Sequence, residues 1–443
     1  MAAAVQEMAA NARRAARHLA TASGVQRDRA LDQVAAAISS HRDRILAANV
    51  EDLADAERMV ASGELGEPLL KRLSLQGGKF ESLLEVVGSV RQQSDPLGAT
   101  QRSTELAKGL ELYRISVPIG VLGVIFESRP DALVQIAALC LKSGNAVLLK
   151  GGREAASTNA ALAEVVREAT AGVDGIPDGW MALLETREDV RSLLTQVGDV
   201  DLIIPRGSNE FVQYIMENTR IPVLGHADGV CHVYIDRDAD MEKALPIVID
   251  SKTQYVAVCN AAETLLVHRS VAGQFLARAV PALKAAGVEL RGDRSTIELS
   301  QANGAVRPAT QDDWSSEYLD YILSIKVVDD LEEAMTHINM YGSHHTDAIV
   351  TESDAAARAF FAGVDSASVI QNASTRFADG FRYGLGAEVG ISTNRIHSRG
   401  PVGLEGLTIY KYILRGSGQV VADFDGERSR NYTHRDLDAE WKS

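Results

Sequence analysis

The strongest constraint on the fold of this 443-residue chain is a regular alternation of short apolar runs with helical patterns. Val121–Phe126 is followed by the helical pattern Asp131–Leu141, and Ala146–Lys150 by Ala155–Ala169, and the alternation continues to about residue 371. It predicts parallel β-sheets covered by helices, because a parallel strand needs a crossover connection. The length fits two such sheets, so we predict an α/β fold with two parallel-sheet domains.

The two ends of the chain depart from this alternation. Residues 1–95 are nearly all helical in pattern, and the strand-like segment 102–116 follows them without a helix of its own. The alternating segment Leu407–Leu414 also has no helix after it. We predict that these two segments pair as a β-flap, which would be unstable alone and would need a second subunit. The polar chain after Gly418 is predicted to be loosely held.

Composition and charge exclude several classes of protein. The formal net charge of −15 argues against a nucleic-acid partner. No apolar run approaches the roughly 20 residues of a membrane helix. The three cysteines show no zinc or disulfide spacing, which indicates a reducing compartment, the cytoplasm. We expect no cleaved leader, and no metal site, because His337, His344 and His345 lack an acidic partner at ligand spacing.

Cys259 is the residue whose position most strongly suggests chemistry. It follows a helical segment that ends near Thr253 and precedes the apolar run Leu265–Val267, so it lies at a helix–strand junction. A thiol held there can meet a substrate, and a thiolate is a strong nucleophile and a good acyl carrier. The alternative is a buried small hydrophobic residue, the commonest role of a free cysteine.

Two strand-to-helix turns place basic residues beside glycine. They are Lys150–Arg153 (Lys-Gly-Gly-Arg) and Pro205–Ser208 (Pro-Arg-Gly-Ser). Ligands of parallel sheets bind beyond the carboxyl ends of strands, and helix N-termini favour anions, so each turn is a candidate phosphate site. Neither has the G-x-G-x-x-G spacing of an ordinary dinucleotide fold, and a solvated turn is the alternative for either alone.

Polar groups also follow two other predicted strands. Glu127, Ser128 and Arg129 come directly after a buried strand, which is unusual for a turn that only connects. The Gly-, Ser- and Asn-rich segments 372–380 and 384–393 follow a later strand. We predict that they are loops lining a cleft, with an ordinary surface loop as the alternative.

Taken in order, these motifs resemble the aldehyde dehydrogenase superfamily. The stretches that carry the resemblance are Pro118–Asp131 (PIGVLGVIFESRPD), Leu148–Ala155 (LLKGGREA), Arg206–Val212 (RGSNEFV), Cys259–His268 (CNAAETLLVH), Asn372–Gly380 (NASTRFADG) and Gly384–Gly406 (GLGAEVGISTNRIHSRGPVGLEG). The resemblance covers nearly the whole chain. Within the superfamily, the chain is most similar to the enzymes of proline biosynthesis that reduce gamma-glutamyl phosphate.

The resemblance implies that NADPH reduces gamma-glutamyl 5-phosphate to glutamate 5-semialdehyde and phosphate. Cys259 would attack the acyl phosphate and hold a thioester. The superfamily places the oxyanion donors at the backbone N–H of the cysteine and near Ser128. The acyl phosphate would come from a separate glutamate 5-kinase, and we expect a transient contact with it because acyl phosphates hydrolyse readily.

Three departures from the oxidising members of the superfamily fit this reaction. Their water-activating glutamate is absent from the matching stretch Leu224–Gly229, which suits an enzyme whose thioester must not hydrolyse. The turn that carries Asn in those enzymes reads Glu127-Ser128-Arg129 in this chain. This makes Arg129 a candidate for binding the substrate phosphate. Arg153 stands where NAD-preferring relatives carry Glu, so the resemblance favours NADP, whose 2′-phosphate Lys150 and Arg153 would attract.

The resemblance assigns a role to each candidate residue. The implied catalytic residues are Cys259 and Ser128. The implied cofactor-binding residues are Lys150, Gly151, Arg153, Arg206, Gly207, Ser208 and Glu388. The implied substrate-binding residues are Arg129, Asn260, Arg376 and Asp379. Of these, Arg376 would take the α-carboxylate, and Asp379 or Glu388 the ammonium.

The implied domains are an NADP-binding domain (1–100 and 118–229), a catalytic domain carrying Cys259 (230–402), an oligomerisation flap (101–117 and 403–420) and a C-terminal tail (421–443). We expect a homodimer or a higher homo-oligomer. One alternative is a CoA-acylating aldehyde dehydrogenase, which would give no reason for the Arg129 corner. Another is an inactive scaffold on the same fold, which the retention of Cys259 disfavours.

Overall fold

A computed structural model describes residues 2–441 except 65–69, 71, 128, 208, 226–227, 301–303 and 426–428. Its α-helices are α1 (Ala2–Leu19), α2 (Gly24–Ser40), α3 (Arg42–Ala61), α4 (Lys79–Gln92), α5 (Pro130–Lys142), α6 (Ala156–Thr170), α7 (Arg187–Leu193), α8 (Asn209–Glu217), α9 (Met241–Thr253), α10 (Arg269–Ala285), α11 (Arg294–Leu299), α12 (Leu331–Tyr341) and α13 (Asp354–Gly363). In these ranges, no helix is both long and apolar enough to cross a membrane.

The strands alternate with these helices through most of the chain. They are β1 (Thr100–Ala107), β2 (Leu110–Pro118), β3 (Val121–Phe126), β4 (Ala146–Lys150), β5 (Met181–Leu184), β6 (Leu202–Arg206), β7 (Cys231–Ile235), β8 (Ala262–His268), β9 (Glu289–Gly292), β10 (Val306–Pro308), β11 (Ile322–Val328), β12 (Thr346–Val350), β13 (Ser368–Gln371), β14 (Ile391–Ser392), β15 (Gly400–Pro401), β16 (Thr408–Arg415) and β17 (Arg435–Asp436).

The first parallel sheet has the strand order β5-β4-β3-β6. The central strand β3 is buried along its whole length, as expected for a strand with helices on both faces. Leu122 and Val124 pack with α2, α4, α5 and α6 on one face, and Val121 and Ile125 pack with α1, α7 and α8 on the other. The helical N-terminal region therefore completes the layers of this sheet.

The second parallel sheet has the order β10-β9-β11-β8-β7-β12-β13. One of its faces packs against α9 and α10, and the other against α12 and α13. Two parallel sheets with helices on both faces confirm the predicted α/β fold class. The residue ranges given above for the NADP-binding domain, the catalytic domain, the flap and the tail stay a prediction.

The flap differs from the predicted two-stranded pair. Four antiparallel strands are joined in the order β16-β2-β1-β17. The segment predicted as one strand is a hairpin, which turns at Gly109 with a φ of +71°. The tail, predicted to be loosely held, adds β17 to β1, and the Ser103 hydroxyl donates to the Leu437 carbonyl over 2.8 Å. β17 is held by backbone pairing and polar contacts. Such a strand needs no hydrophobic pattern, and its sequence shows none.

Candidate active site

Cys259 lies in the turn between the end of α9 at Thr253 and the start of β8 at Ala262, the junction that the sequence predicts. Its side chain is partly buried, and it lines a cavity of about 650 Å³. The other walls of this cavity come from the ends of β3 and β6 and from the loop around Glu388. The thiol therefore faces a space large enough for a small metabolite and part of a cofactor.

Three residues that the sequence analysis did not select hold the backbone beside Cys259. The Cys231 thiol donates to the Cys259 carbonyl, with 3.1 Å between Sγ and O. Arg72 donates from Nη2 to the Ala257 carbonyl over 3.0 Å. At Gly229, a Cβ atom would lie 2.2 Å from the Cys259 carbonyl oxygen, so only glycine fits. The turn that presents the thiol is thus fixed from several sides.

Of these three residues, only Gly229 lies in a stretch that the sequence singles out. Gly229 closes the stretch Leu224–Gly229, which was read only for its missing glutamate. Cys231 begins β7, which pairs in parallel with β8, so Cys231 lies opposite Ala262, close to the cysteine turn. Arg72 comes from the helical N-terminal region, and no local pattern points to it.

Two arginines line the cavity on the side of the first sheet. Arg129 donates from Nη2 to Asp131 Oδ2 over 2.8 Å. Arg206 is partly buried, and its Nη1 atom has no hydrogen-bond acceptor among the residues that the structure describes. Burial, and then repulsion from Arg129, lower the pKa of Arg206 to about 10. Two guanidinium groups therefore line the same cavity as Cys259, together with carboxylates that include Glu127 and Glu388.

Glu388 lines the same cavity and opposes these charges. Its Oε2 atom accepts a hydrogen bond from the Gly380 backbone N–H over 2.9 Å. Burial raises the pKa of Glu388, although Arg206 and Arg129 act against this. The structure thus brings together five of the predicted residues. They are Cys259, Arg129, Arg206, Gly207 and Glu388.

The predicted cofactor turn after β4 lies apart from this cavity lining. Lys150 is buried and donates to the carbonyl of Gly151, and burial lowers the pKa of its ammonium group. A Cβ atom on Gly151 would lie 2.1 Å from Asn159 Nδ2, so this glycine is required for close packing. Arg153 is exposed and pairs with Glu64 over 2.9 Å. Ser128 and Ser208 lie outside the described residues.

The predicted substrate residues after the cysteine and after β13 are also outside the cavity lining. Asn260 is buried and donates from Nδ2 to the Ala378 carbonyl over 2.9 Å, while its Oδ1 finds no donor in the described part of the chain. Arg376 is buried and donates from Nε to Gln254 Oε1 over 3.0 Å, and burial lowers its pKa. Asp379 accepts from the backbone of its own loop.

A buried ion pair brackets the cysteine turn in sequence. Lys252 in the last turn of α9 and Glu263 in β8 are fully buried, with 2.5 Å between Nζ and Oε2. The Leu319 backbone N–H also donates to Glu263, over 3.3 Å. Burial raises the pKa of Glu263 to about 7 and lowers that of Lys252, so desolvation outweighs the attraction between them.

Comparison with known proteins identifies the relatives of this chain. The model of the "Aldehyde dehydrogenase family" matches residues 1–303. A gamma-glutamyl phosphate reductase from Acetivibrio thermocellus is 54% identical over 437 residues, which are 99% of each protein. One from Natronomonas pharaonis is 54% identical over 430 residues, 97% of each. The crystal structure of the Thermotoga maritima gamma-glutamyl phosphate reductase superimposes with a TM-score of 0.90 at 39% identity, covering 94% of this chain and 99% of that one.

Proposed function

The chain belongs to the aldehyde dehydrogenase family, within its group of gamma-glutamyl phosphate reductases, and on that premise we propose how it acts. The proposed reaction is the reduction of gamma-glutamyl 5-phosphate to glutamate 5-semialdehyde and phosphate, the second step of proline biosynthesis from glutamate. The observation that carries the proposal is the thiol of Cys259 in one cavity with Arg129 and Arg206. A nucleophile beside two cations suits an acyl group that bears a phosphate.

In the proposed mechanism, Cys259 acts as the nucleophile. Its thiolate attacks the carbonyl carbon of the acyl phosphate, the bond from that carbon to the phosphate oxygen breaks, and phosphate leaves with the electron pair. NADPH, when bound, supplies the hydride that reduces the resulting thioester. The thiolate of Cys259 then leaves the hemithioacetal as the aldehyde forms. The contacts from Cys231 and Arg72 keep the thiol in place through these steps.

The turn after β4 has the features that NADPH requires. A strand end followed by two glycines gives a phosphate close access to the backbone. Lys150 supplies a buried cation, and Arg153 an exposed one. The Arg153–Glu64 pair is solvent-exposed and therefore weak, so a 2′-phosphate can replace Glu64 as the partner of Arg153. We propose that Lys150, Gly151 and Arg153 hold the adenosine half and that Gly207 lies on the nicotinamide side.

The remaining candidates serve the glutamyl head group in this proposal. Arg376 takes the α-carboxylate, because one edge of its guanidinium remains beyond the bond to Gln254. Asn260 contributes an amide oxygen that lacks a donor among the described residues. Glu388 lines the cavity, whereas Asp379 holds its own loop, so we assign the ammonium to Glu388.

We propose that the working form is a homo-oligomer in the cytoplasm, supplied with substrate by a glutamate 5-kinase through transient contact. β16 is an edge strand of the flap, and its Ile409, Tyr412 and Leu414 side chains are exposed. A long, exposed, apolar edge strand is an unfavourable surface for a lone chain, and a second copy of the flap would cover it. The three cysteines are all free thiols, as suits a reducing compartment.

The reverse reaction tests the proposed function. NADPH formation from glutamate 5-semialdehyde and NADP is measured with and without inorganic phosphate, for the native chain and for Cys259→Ala. We expect turnover to require phosphate and to fall by at least about 10³-fold in the variant, since no other nucleophile carries the acyl group. Cys140→Ala, which removes a buried thiol far from the cavity, is the control. Turnover without phosphate, or activity that survives in Cys259→Ala, would refute the mechanism.

A further inference from the structure

The turns after β3 and β6 bring two arginines to one side of the Cys259 cavity. β3 and β6 pair in parallel with Phe126 opposite Arg206, so the two strands end at the same level. Arg206 is the last residue of β6, and Arg129 follows shortly after β3. Both side chains line the cavity that contains Cys259. Two guanidinium groups that are far apart in the sequence therefore share one wall.

Arg206 is the member of this pair that the protein alone leaves incompletely bonded, since Arg129 is paired with Asp131 over 2.8 Å. The buried Nη1 of Arg206 donates to no atom in the described part of the chain. A buried donor without an acceptor destabilises the fold, and the like charge of Arg129 adds repulsion that lowers the pKa of Arg206. Glu388 offsets part of the charge, but it is bound to the Gly380 backbone N–H. An anion placed between the two arginines would remove both costs.

We propose that Arg206 and Arg129 together bind the phosphoryl group of the acyl phosphate, and inorganic phosphate in the reverse reaction. The inference rests on the proposed function and deepens it, and it moves Arg206 from the cofactor, where the sequence resemblance placed it, to the substrate. Each guanidinium presents paired N–H donors that match two phosphate oxygens, and two of them balance the double charge of the departing phosphate. Of the predicted cofactor cations, Lys150 ends β4 and Arg153 lies in the turn after it, and both are outside this lining.

The two arginines have a defined part in the chemistry. When Cys259 attacks, the electron pair of the breaking carbon–oxygen bond passes to the phosphate, and fixed cations there stabilise the charge as it develops. In the reverse direction, a phosphate oxygen attacks the thioester carbon, and the sulfur leaves as thiolate. The same pair then holds phosphate beside the thioester. Hydride transfer, by contrast, needs neither arginine.

The reverse reaction separates these two stages. Mixing enzyme, NADP and glutamate 5-semialdehyde without phosphate gives one NADPH per site as a burst, and added phosphate allows turnover. We expect Arg206→Gln and Arg129→Gln to keep the burst amplitude and to raise the KM for phosphate roughly 10- to 100-fold, the loss of one charged hydrogen-bonding partner. The KM for NADP should stay within about twofold, since the arginines contact no part of the cofactor in this proposal.

The control is Arg395→Gln, which removes an exposed arginine paired with Asp365 and should change neither constant. Arg206→Lys keeps the charge but loses the paired donors, so we expect an intermediate KM for phosphate. If Arg206→Gln raises the KM for NADP and leaves the KM for phosphate unchanged, Arg206 binds the cofactor and the proposal is overturned. If the native enzyme turns over without phosphate, it is the proposed function that fails.

A second measurement does not depend on turnover. Inorganic phosphate bound beside Cys259 should slow alkylation of its thiol by iodoacetamide in the native enzyme. In Arg206→Lys and Arg129→Gln, protection should need roughly 10-fold more phosphate, and in Arg395→Gln the same concentration as in the native enzyme. Equal protection in all variants would place phosphate elsewhere and contradict the inference, even if Arg206→Gln failed to fold.

Discussion

Two groups of charged residues near Cys259 differ in how completely the fold itself pairs them. Lys252 and Glu263, at the two ends of the cysteine turn, are fully buried and satisfy each other at 2.5 Å. Arg206 and Arg129 carry charges of the same sign, and Arg206 has a buried donor with no acceptor among the described residues. The Lys252–Glu263 pair is satisfied without a ligand, whereas Arg206 retains a hydrogen-bond donor without an acceptor in the described part of the chain.

This difference separates structure from function among charged residues that look alike in the sequence. A buried ion pair is costly to break, but it has no charge left over for a substrate. A buried charge with no partner costs stability, and such groups cluster at functional sites because a ligand completes them. We therefore expect changes at the pair to act on stability, and changes at the arginines to act on catalysis.

The largest effect on stability should come from breaking the pair. Above pH 7, where Glu263 is ionised in the native pair, Lys252→Met leaves its carboxylate buried without a partner. We expect a loss of about 3–5 kcal/mol in the free energy of unfolding, measured there by urea denaturation. Restoring neutrality in Lys252→Met/Glu263→Leu should recover most of this loss. Lys243→Met, which breaks the exposed pair with Glu352, is the control and should cause no measurable change. An unchanged free energy of unfolding in Lys252→Met would show that the pair does not contribute to stability.

The pair should also leave a signature in the pH dependence of stability. Burial raises the pKa of Glu263 from 4.5 to about 7, so the folded state binds a proton that the unfolded state has lost. The resulting stability is fully present below pH 4.5 and disappears as the pH rises through about 7. Between these limits, the free energy of unfolding of the native chain should fall with rising pH relative to that of Glu263→Gln. If the free energies of unfolding of the native chain and of Glu263→Gln change with pH in parallel, Glu263 stays ionised in the folded state.

The fold and the position of Cys259 at a helix–strand junction were predictable from the sequence because their signals are local. Alternating runs mark parallel strands such as β3 wherever they occur, and the motif around Cys259 is contiguous. The family resemblance is confirmed by a family model that matches residues 1–303 and by a relative that is 54% identical over 437 residues. The flap was only partly predictable, since β17 has no hydrophobic alternation and is defined by its partner β1.

Part of the surroundings of Cys259 could not be predicted, because it depends on strand order and on contacts between residues that are distant in the sequence. Arg206 was assigned to a phosphate of the cofactor from its own turn, and nothing local shows that β6 lies next to β3. Arg72 donates to the Ala257 carbonyl from 185 residues away in the sequence. Gly229 fits only because the Cys259 backbone lies against it. Each of these roles depends on a neighbour that only the folded chain supplies.

The smallest effect on stability should come from the other group. Arg206→Gln removes a charge whose burial and whose repulsion from Arg129 lower its pKa to about 10, so the native state gains from losing it. We expect the free energy of unfolding in phosphate-free buffer to stay unchanged or to rise by up to about 1 kcal/mol. Added phosphate should stabilise the native chain more than the variant, since a ligand stabilises only the fold that binds it. A loss as large as that of Lys252→Met would mean that Arg206 is a structural cation like Lys252, and the contrast between the two groups would fail.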